Sequence, residues 1–278
     1  VDDRPIGMFD SGFGGLTVAR ALMDLLPGED LVYLGDTARY PYGPRSLGEV
    51  AEFAHQIAEE LVARRGVKLL VVACNTAAAA ALESLTLSFD VPVVGVIEPG
   101  ARALLSATTT GRVGVIGTVG TIDSGAYQRA VAAMSAKGGP QLPGSGEVEL
   151  HALACPGFVE FVERGEFAGP QVRVLAERLL APAVEAKIDT LLLGCTHYPY
   201  LARTIGDVMG SDVVMVSSAD ETAFEVRRML HHSEMQAGPR PQGARSTFIT
   251  TGDVNSFEEL GRRLLGPELA RAERIHWP

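Results

Sequence analysis

The sequence predicts an α/β fold made of two doubly wound domains with parallel sheets. Three observations predict it. Short β-branched runs alternate with helical stretches along the 278 residues. The strand segments are continuously apolar, the pattern of strands covered by helices on both faces. The layout also repeats. "GMFDSGFGGLT" at 7–17 is echoed by "GVIGTVGTIDS" at 114–124, and "LLVVACNTAA" at 69–78 by "TLLLGCTHYP" at 190–199. The match is weak residue by residue and strong in the order of strand, turn and helix. A single eight-stranded barrel is the competing arrangement; the repeat favours two domains.

The elements follow in order from local pattern. Residues 6–10 form a strand and 16–26 a helix, with Gly12, Gly14 and Gly15 turning the chain between them. A strand at 31–36 precedes a long amphipathic helix at 48–66, ended by Gly66. A strand at 68–74 runs into a helix at 76–85, and 91–97 is a fourth strand. The pattern then restarts with a strand at 112–118, a helix at 124–134 and a Gly/Pro loop at 138–146. A strand at 147–153, a helix at 171–186 and strands at 190–195 and 212–218 come next. A helix at 221–232, a flexible linker at 235–246 and a late strand at 247–253 follow.

Composition narrows the function. Hydrophobic residues make up 46 % and charged residues 21 %, enough for a substantial globular core. No apolar run reaches bilayer length, and the opening VDDRPIGMFD lacks a signal-peptide pattern, so no membrane association is expected. The formal net charge of −10 argues against a general grip on nucleic acid. The three cysteines are far apart with no CxxC pair, which speaks against a disulfide scaffold and for a reducing cytoplasm. The lysines are Lys68, Lys137 and Lys187, and none ends a strand, where a pyridoxal enzyme would need one.

Cys74 and Cys195 stand at the carboxyl ends of equivalent strands, each near a helix start. Ligands of open α/β sheets bind there, and unpaired N–H groups favour a thiolate. Buried cysteines are commonly inert hydrophobes, but two at matching ends of two repeats form a pattern. If the repeats face each other, the thiols flank one cleft. Two opposed acid/base groups suit removal of a proton from carbon on one face and its return on the other. A thiol's ordinary pKa of about 8.5 suits both tasks. Cys155, followed by proline, reads as inert.

Other groups surround them. Asp10 and Ser11 end the first strand, before a glycine turn that can expose N–H groups to an anion. That turn is neither a Walker loop nor GxGxxG. Asp36 precedes a rigid PYG turn at 41–43, Thr118 and Thr121 follow a strand, and His197 lies two residues beyond Cys195. Glu163 and Glu166 fit a solvated face equally well. The Cys195/His197 spacing does not build a zinc site.

Together these residues make the chain resemble the glutamate racemases, cofactor-independent enzymes that supply D-glutamate to bacterial peptidoglycan. The motifs are FDSGFGGLTV, DTARYPYGPRS, ACNTA, GVIGT, ACPGFVEFVERGE and LGCTHYP, with SSADETA at 217–223. The resemblance implies two pseudo-symmetric domains, residues 1–98 completed by 211–278, and residues 99–210, with the site in the cleft between them. It implies Cys74 and Cys195 as the proton acceptor/donor pair, assisted by Asp10 and His197, with no cofactor and no metal. Cys74 would take the proton of D-glutamate and Cys195 that of L-glutamate. Substrate contacts are implied for Asp10, Ser11, Pro41, Tyr42, Gly43, Asn75, Thr76, Thr118, Thr121, Thr196 and His197, with Asp36 and Glu163 supporting. A homodimer is implied, and for some relatives a contact with DNA gyrase. The chain departs from the commonest form at Arg39–Tyr40 and in the loop at 137–146. Aspartate and hydantoin racemases, a Cys–His hydrolase using Cys195 and His197 alone, and a pure binding protein are the alternatives.

Overall fold

The computed structural model describes residues 1–136, 147–239 and 243–277. The first stretch alternates β1 (Ile6–Asp10), α1 (Leu16–Leu25), β2 (Leu31–Gly35), α2 (Leu47–Glu59), β3 (Leu69–Val72), α3 (Asn75–Ser88) and β4 (Val93–Gly95). A second begins with α4 (Ile97–Ala107), β5 (Arg112–Gly117), α5 (Val119–Asp123), α6 (Ala126–Ala136) and β6 (Glu149–Ala154). It continues through α7 (Phe158–Glu163), α8 (Pro170–Glu185), β7 (Thr190–Leu193), α9 (Ala202–Met209) and β8 (Val214–Ser217). Then come α10 (Ala219–His232), β9 (Ser246–Thr250), α11 (Val254–Leu265) and β10 (Ala272–Arg274).

One sheet has the order β10-β9-β2-β1-β3-β4 and the other β6-β5-β7-β8. Every pairing is parallel. The run β2-β1-β3-β4 has the same order as β6-β5-β7-β8, so the repeat read from the sequence is a repeat of topology. The late strands β9 and β10 extend the first sheet beyond β2. All residues of β1, β2 and β3 are buried, which is why those strands read as unbroken apolar runs.

Local chemistry sets the helix starts. Ser46 accepts from the Glu49 N–H at 3.2 Å and caps α2. Thr118 and Asp253 do the same for α5 and α11. The helix expected at 48–66 is two pieces: α2 passes into a π-helical turn, Glu60–Arg64, and Gly66 at φ +64° ends it.

Several expectations need correction. The strands drawn through Cys74 and Cys195 stop two residues earlier, at Val72 and Leu193. Helix α4 was not anticipated because Pro99 and Gly100 look like breakers. Pro99 falls in its first turn, where an N–H needs no helical partner, and the Gly100 N–H makes the first helical bond, to Val96 O at 3.2 Å. The domain boundary at 211 falls too early, because β8 pairs with β7 in the second sheet. The Gly/Pro loop at 138–146 and residues 240–242 of the expected linker lie outside the described residues. The described part of that linker is anchored rather than loose: Ala237 N–H donates to Glu29 Oε1 at 2.8 Å and Gly238 N–H to Asp3 Oδ1 at 3.0 Å.

Lys68 completes that anchor. It is fully buried, and its Nζ donates to Glu29 Oε2 at 2.6 Å, Asp2 O at 2.7 Å and Met235 O at 2.8 Å. Three distant chain segments therefore meet on one ammonium. Lys68→Met strands a buried carboxylate and is expected to cost about 3–5 kcal/mol. Urea unfolding checks this, and an unchanged midpoint would show that the pair is dispensable.

Candidate active site

The two cysteines occupy equivalent places. Cys74 lies two residues past β3 and is the extended residue (φ −128°, ψ 120°) that precedes α3. Cys195 lies two residues past β7, before a 3₁₀ turn at Tyr198–Leu201. In each sheet the central pair (β1 and β3, β5 and β7) is where the strand order reverses, the place such sheets bind ligands.

Both cysteines line one cavity of about 20 Å³. Asp10, Ser11, Pro41, Tyr42, Gly43, Asn75, Thr76, Thr118, Thr196 and His197 line it too, with Val159. Thr121 stands just behind: its hydroxyl lies 2.9 Å from that of Thr118 and 3.2 Å from that of Thr76. Thr76 and Thr118 hydroxyls are 2.9 Å apart, so three buried threonines from two domains form one hydroxyl cluster. Asp36 and Glu163 lie outside the cavity wall.

The surroundings of the two sulfurs differ. Burial pushes the Cys74 thiol well above its usual range, and the Asp10 carboxylate adds to this. The Ala77 and Ser11 N–H groups pull the other way. Asp10 is itself held by the Gly12 N–H at 2.9 Å and by the Thr196 hydroxyl at 3.4 Å. Beside Cys195, His197 Nδ1 lies 3.8 Å from Sγ, and His197 Nε2 lies 2.6 Å from Glu163 Oε1. Burial alone would drive the imidazole down. The hydrogen bonds to Cys195 and Glu163 outweigh it and hold the His197 proton well above the usual histidine range. Burial raises the Glu163 carboxyl, against the pull of His197.

The glycine turn packs closely against this pair. A Cβ on Gly14 would stand 2.2 Å from His197 Nδ1 and 2.6 Å from Thr196 Oγ1, and one on Gly12 2.9 Å from Glu163 Oε1. Gly14→Ala is therefore expected to displace His197 and cut turnover by about tenfold, with the far-ultraviolet circular dichroism unchanged. Near-normal turnover would show that the imidazole needs no such packing.

Asp36 holds the wall from behind. It is fully buried and accepts from Tyr42 OH, from Arg39 Nε at 2.7 Å, from Thr251 Oγ1 at 2.8 Å and from Trp277 Nε1 at 2.9 Å. Gly43 O accepts from the Gly120 N–H at 3.0 Å, so the PYG turn bridges to the second domain. Cys155 is buried, and burial first, then Cys195, pushes its thiol up to about 12. It lines an adjoining cavity of about 70 Å³ with Pro41, Gly43, Thr118 and Val159. Val159 and Tyr127, which bonds Asn75, were missed from sequence; nothing in their local pattern distinguishes them from core residues.

The geometry has counterparts. The profile of the family described as Asp/Glu/Hydantoin racemase matches residues 16–224. The chain is similar to a glutamate racemase of Parafrankia sp., 52 % identical over 265 residues, covering 95 % of this chain and 92 % of that one. It is similar to one of Corynebacterium diphtheriae, 49 % identical over 99 % of both chains. Among solved structures, a glutamate racemase isoform of Bacillus anthracis superposes with a TM-score of 0.89 at 41 % identity, covering 100 % of this chain and 98 % of that one. One of Francisella tularensis in complex with D-glutamate gives 0.88 at 31 %, covering 99 % and 98 %. An aspartate racemase of Picrophilus torridus, at 0.54 and 14 % over 84 % of this chain, shares the fold.

Proposed function

The chain belongs to the aspartate/glutamate/hydantoin racemase family and interconverts L- and D-glutamate, and from that premise we propose how its residues divide the work. One observation carries the reading. Two cysteines from equivalent places in two copies of one topology line a single buried cavity. Cys195 takes the α-proton of L-glutamate while Cys74 delivers one to the opposite face; the reverse reaction exchanges the roles. His197, bonded to Glu163 at 2.6 Å, faces the Cys195 sulfur at 3.8 Å. At Cys74 the Ser11 and Ala77 N–H groups favour the charged sulfur against burial.

Ser11, Thr196, Thr76 and Thr118, the last two backed by Thr121, supply hydroxyls for the substrate carboxylates, stabilising charge as the α-proton leaves. A cavity of about 20 Å³ has room for about one water. Glutamate entry therefore requires the wall to open, and the PYG turn and Val159 are the segments that face the adjoining cavity. We assign β8 to the second domain and the chain from α10 onward to the first. The reading includes a homodimer, checked by sedimentation, and D-glutamate supply to peptidoglycan. The gyrase contact rests on the resemblance alone. Among the described residues no helix is long and apolar enough to cross a membrane.

The test is L-glutamate in heavy water with chelator and no added cofactor. Optical rotation should decay while deuterium enters the α-position. Silence with glutamate and activity with aspartate would transfer the reading to another member of the family.

A further inference from the structure

Asn75 opens α3 directly after Cys74 and lines the cavity. Its Nδ2 donates to the Tyr127 hydroxyl at 2.7 Å. Its Oδ1 is buried and accepts no hydrogen bond. A buried acceptor left unpaired is costly, and in a binding site it points to a donor that arrives with the ligand. Glutamate brings one group rich in donors, its α-ammonium. Its carboxylates only accept, and an unpaired amide oxygen repels them.

Tyr127 partners the Nδ2 end of the amide, and Oδ1 is the end left over. Tyr127 sits on α6 in the second domain, fully buried. Its ring is wedged against the residue before Cys195: a Cβ on Gly194 would stand 2.9 Å from Tyr127 Cε2. The phenol is thus immobile between the two cysteine-bearing loops, and it occupies the Nδ2 end of the amide.

The geometry assigns Tyr127 as a positioning residue: acting through Asn75 Nδ2, it holds Oδ1 towards the α-ammonium group of the substrate. This rests on the glutamate reading above. It makes Tyr127 a determinant of selectivity for amino acids over plain dicarboxylates.

The test compares glutamate with glutarate, which has both carboxylates and no ammonium, as a competitive inhibitor. In Tyr127→Phe the KM for glutamate is expected to rise about tenfold, with kcat changed by less than about threefold and the glutarate inhibition constant unchanged. A general loosening of the site would weaken both ligands, and that result overturns the assignment. So does an unchanged KM. In an Asn75→Ala background, Tyr127→Phe should add nothing, because its effect passes through Asn75; a further loss overturns it. If Tyr127→Phe does not fold, Asn75→Ala alone carries the comparison. Weaker glutamate with unaffected glutarate supports the assignment, and equal weakening overturns it. Wild-type protein that does not racemise glutamate overturns both this inference and its parent; wild-type turnover with either adverse result overturns this one only.

Discussion

Cys74→Ser and Cys195→Ser are each expected to lower racemisation by about a thousandfold or more. A serine hydroxyl keeps the shape and hydrogen-bonding of the site but does not ionise near neutral pH, so one face of the α-carbon loses its acid/base group. The loss has a signature that misfolding lacks. In Cys74→Ser the opposite thiol is intact. Cys195 can still take the α-proton of L-glutamate and return a deuteron to the same face. The α-proton NMR signal should therefore fade in heavy water while the optical rotation persists. Cys195→Ser should show the mirror behaviour with D-glutamate. Racemisation at wild-type speed in either variant would show that a single base does all the work.

Glu163→Gln is expected to have the second-largest effect, about tenfold to a hundredfold on turnover, and to move the pH profile. Glu163 Oε1 lies 2.6 Å from His197 Nε2 and is one of the groups that hold the imidazole proton. The sign is fixed by the direction of that shift. The imidazolium is present below the raised folded pKa and is lost as pH rises through it. Removing the carboxylate lowers that pKa, so the alkaline limb of kcat should move to lower pH. A limb that stays in place would show that His197 is neutral in the working enzyme and that Glu163 only packs against it.

The parts of this site written into neighbouring residues were legible. Strand, cysteine, small polar residue and helix follow one another within ten positions, so Cys74, Asn75 and Thr76 could be placed together from sequence. Contacts made across the fold were not legible. Glu163 looked like a surface carboxylate because nothing local shows that it meets His197, 34 positions away. Asp36 looked peripheral because one of its donors, Trp277, lies 241 positions along the chain. The glycines at 12 and 14 suggested an anion loop, since a tight turn looks the same whether it faces a phosphate or a histidine. Helix α4 hid behind Pro99, which breaks a helix interior and is harmless in a first turn.

The unlike surroundings of the two sulfurs cannot make the two directions unequal. The two hands of glutamate have equal free energies in water, so the reaction has no downhill direction. Whatever residue is changed, kcat/KM for L-glutamate must equal that for D-glutamate. Damage beside Cys195 and damage beside Cys74 are therefore shared by both directions, however different the partners of the two sulfurs. A variant can exchange kcat against KM for one hand, but none can be made a one-way valve. Accumulation of either isomer must be set by whatever removes it, not by this chain.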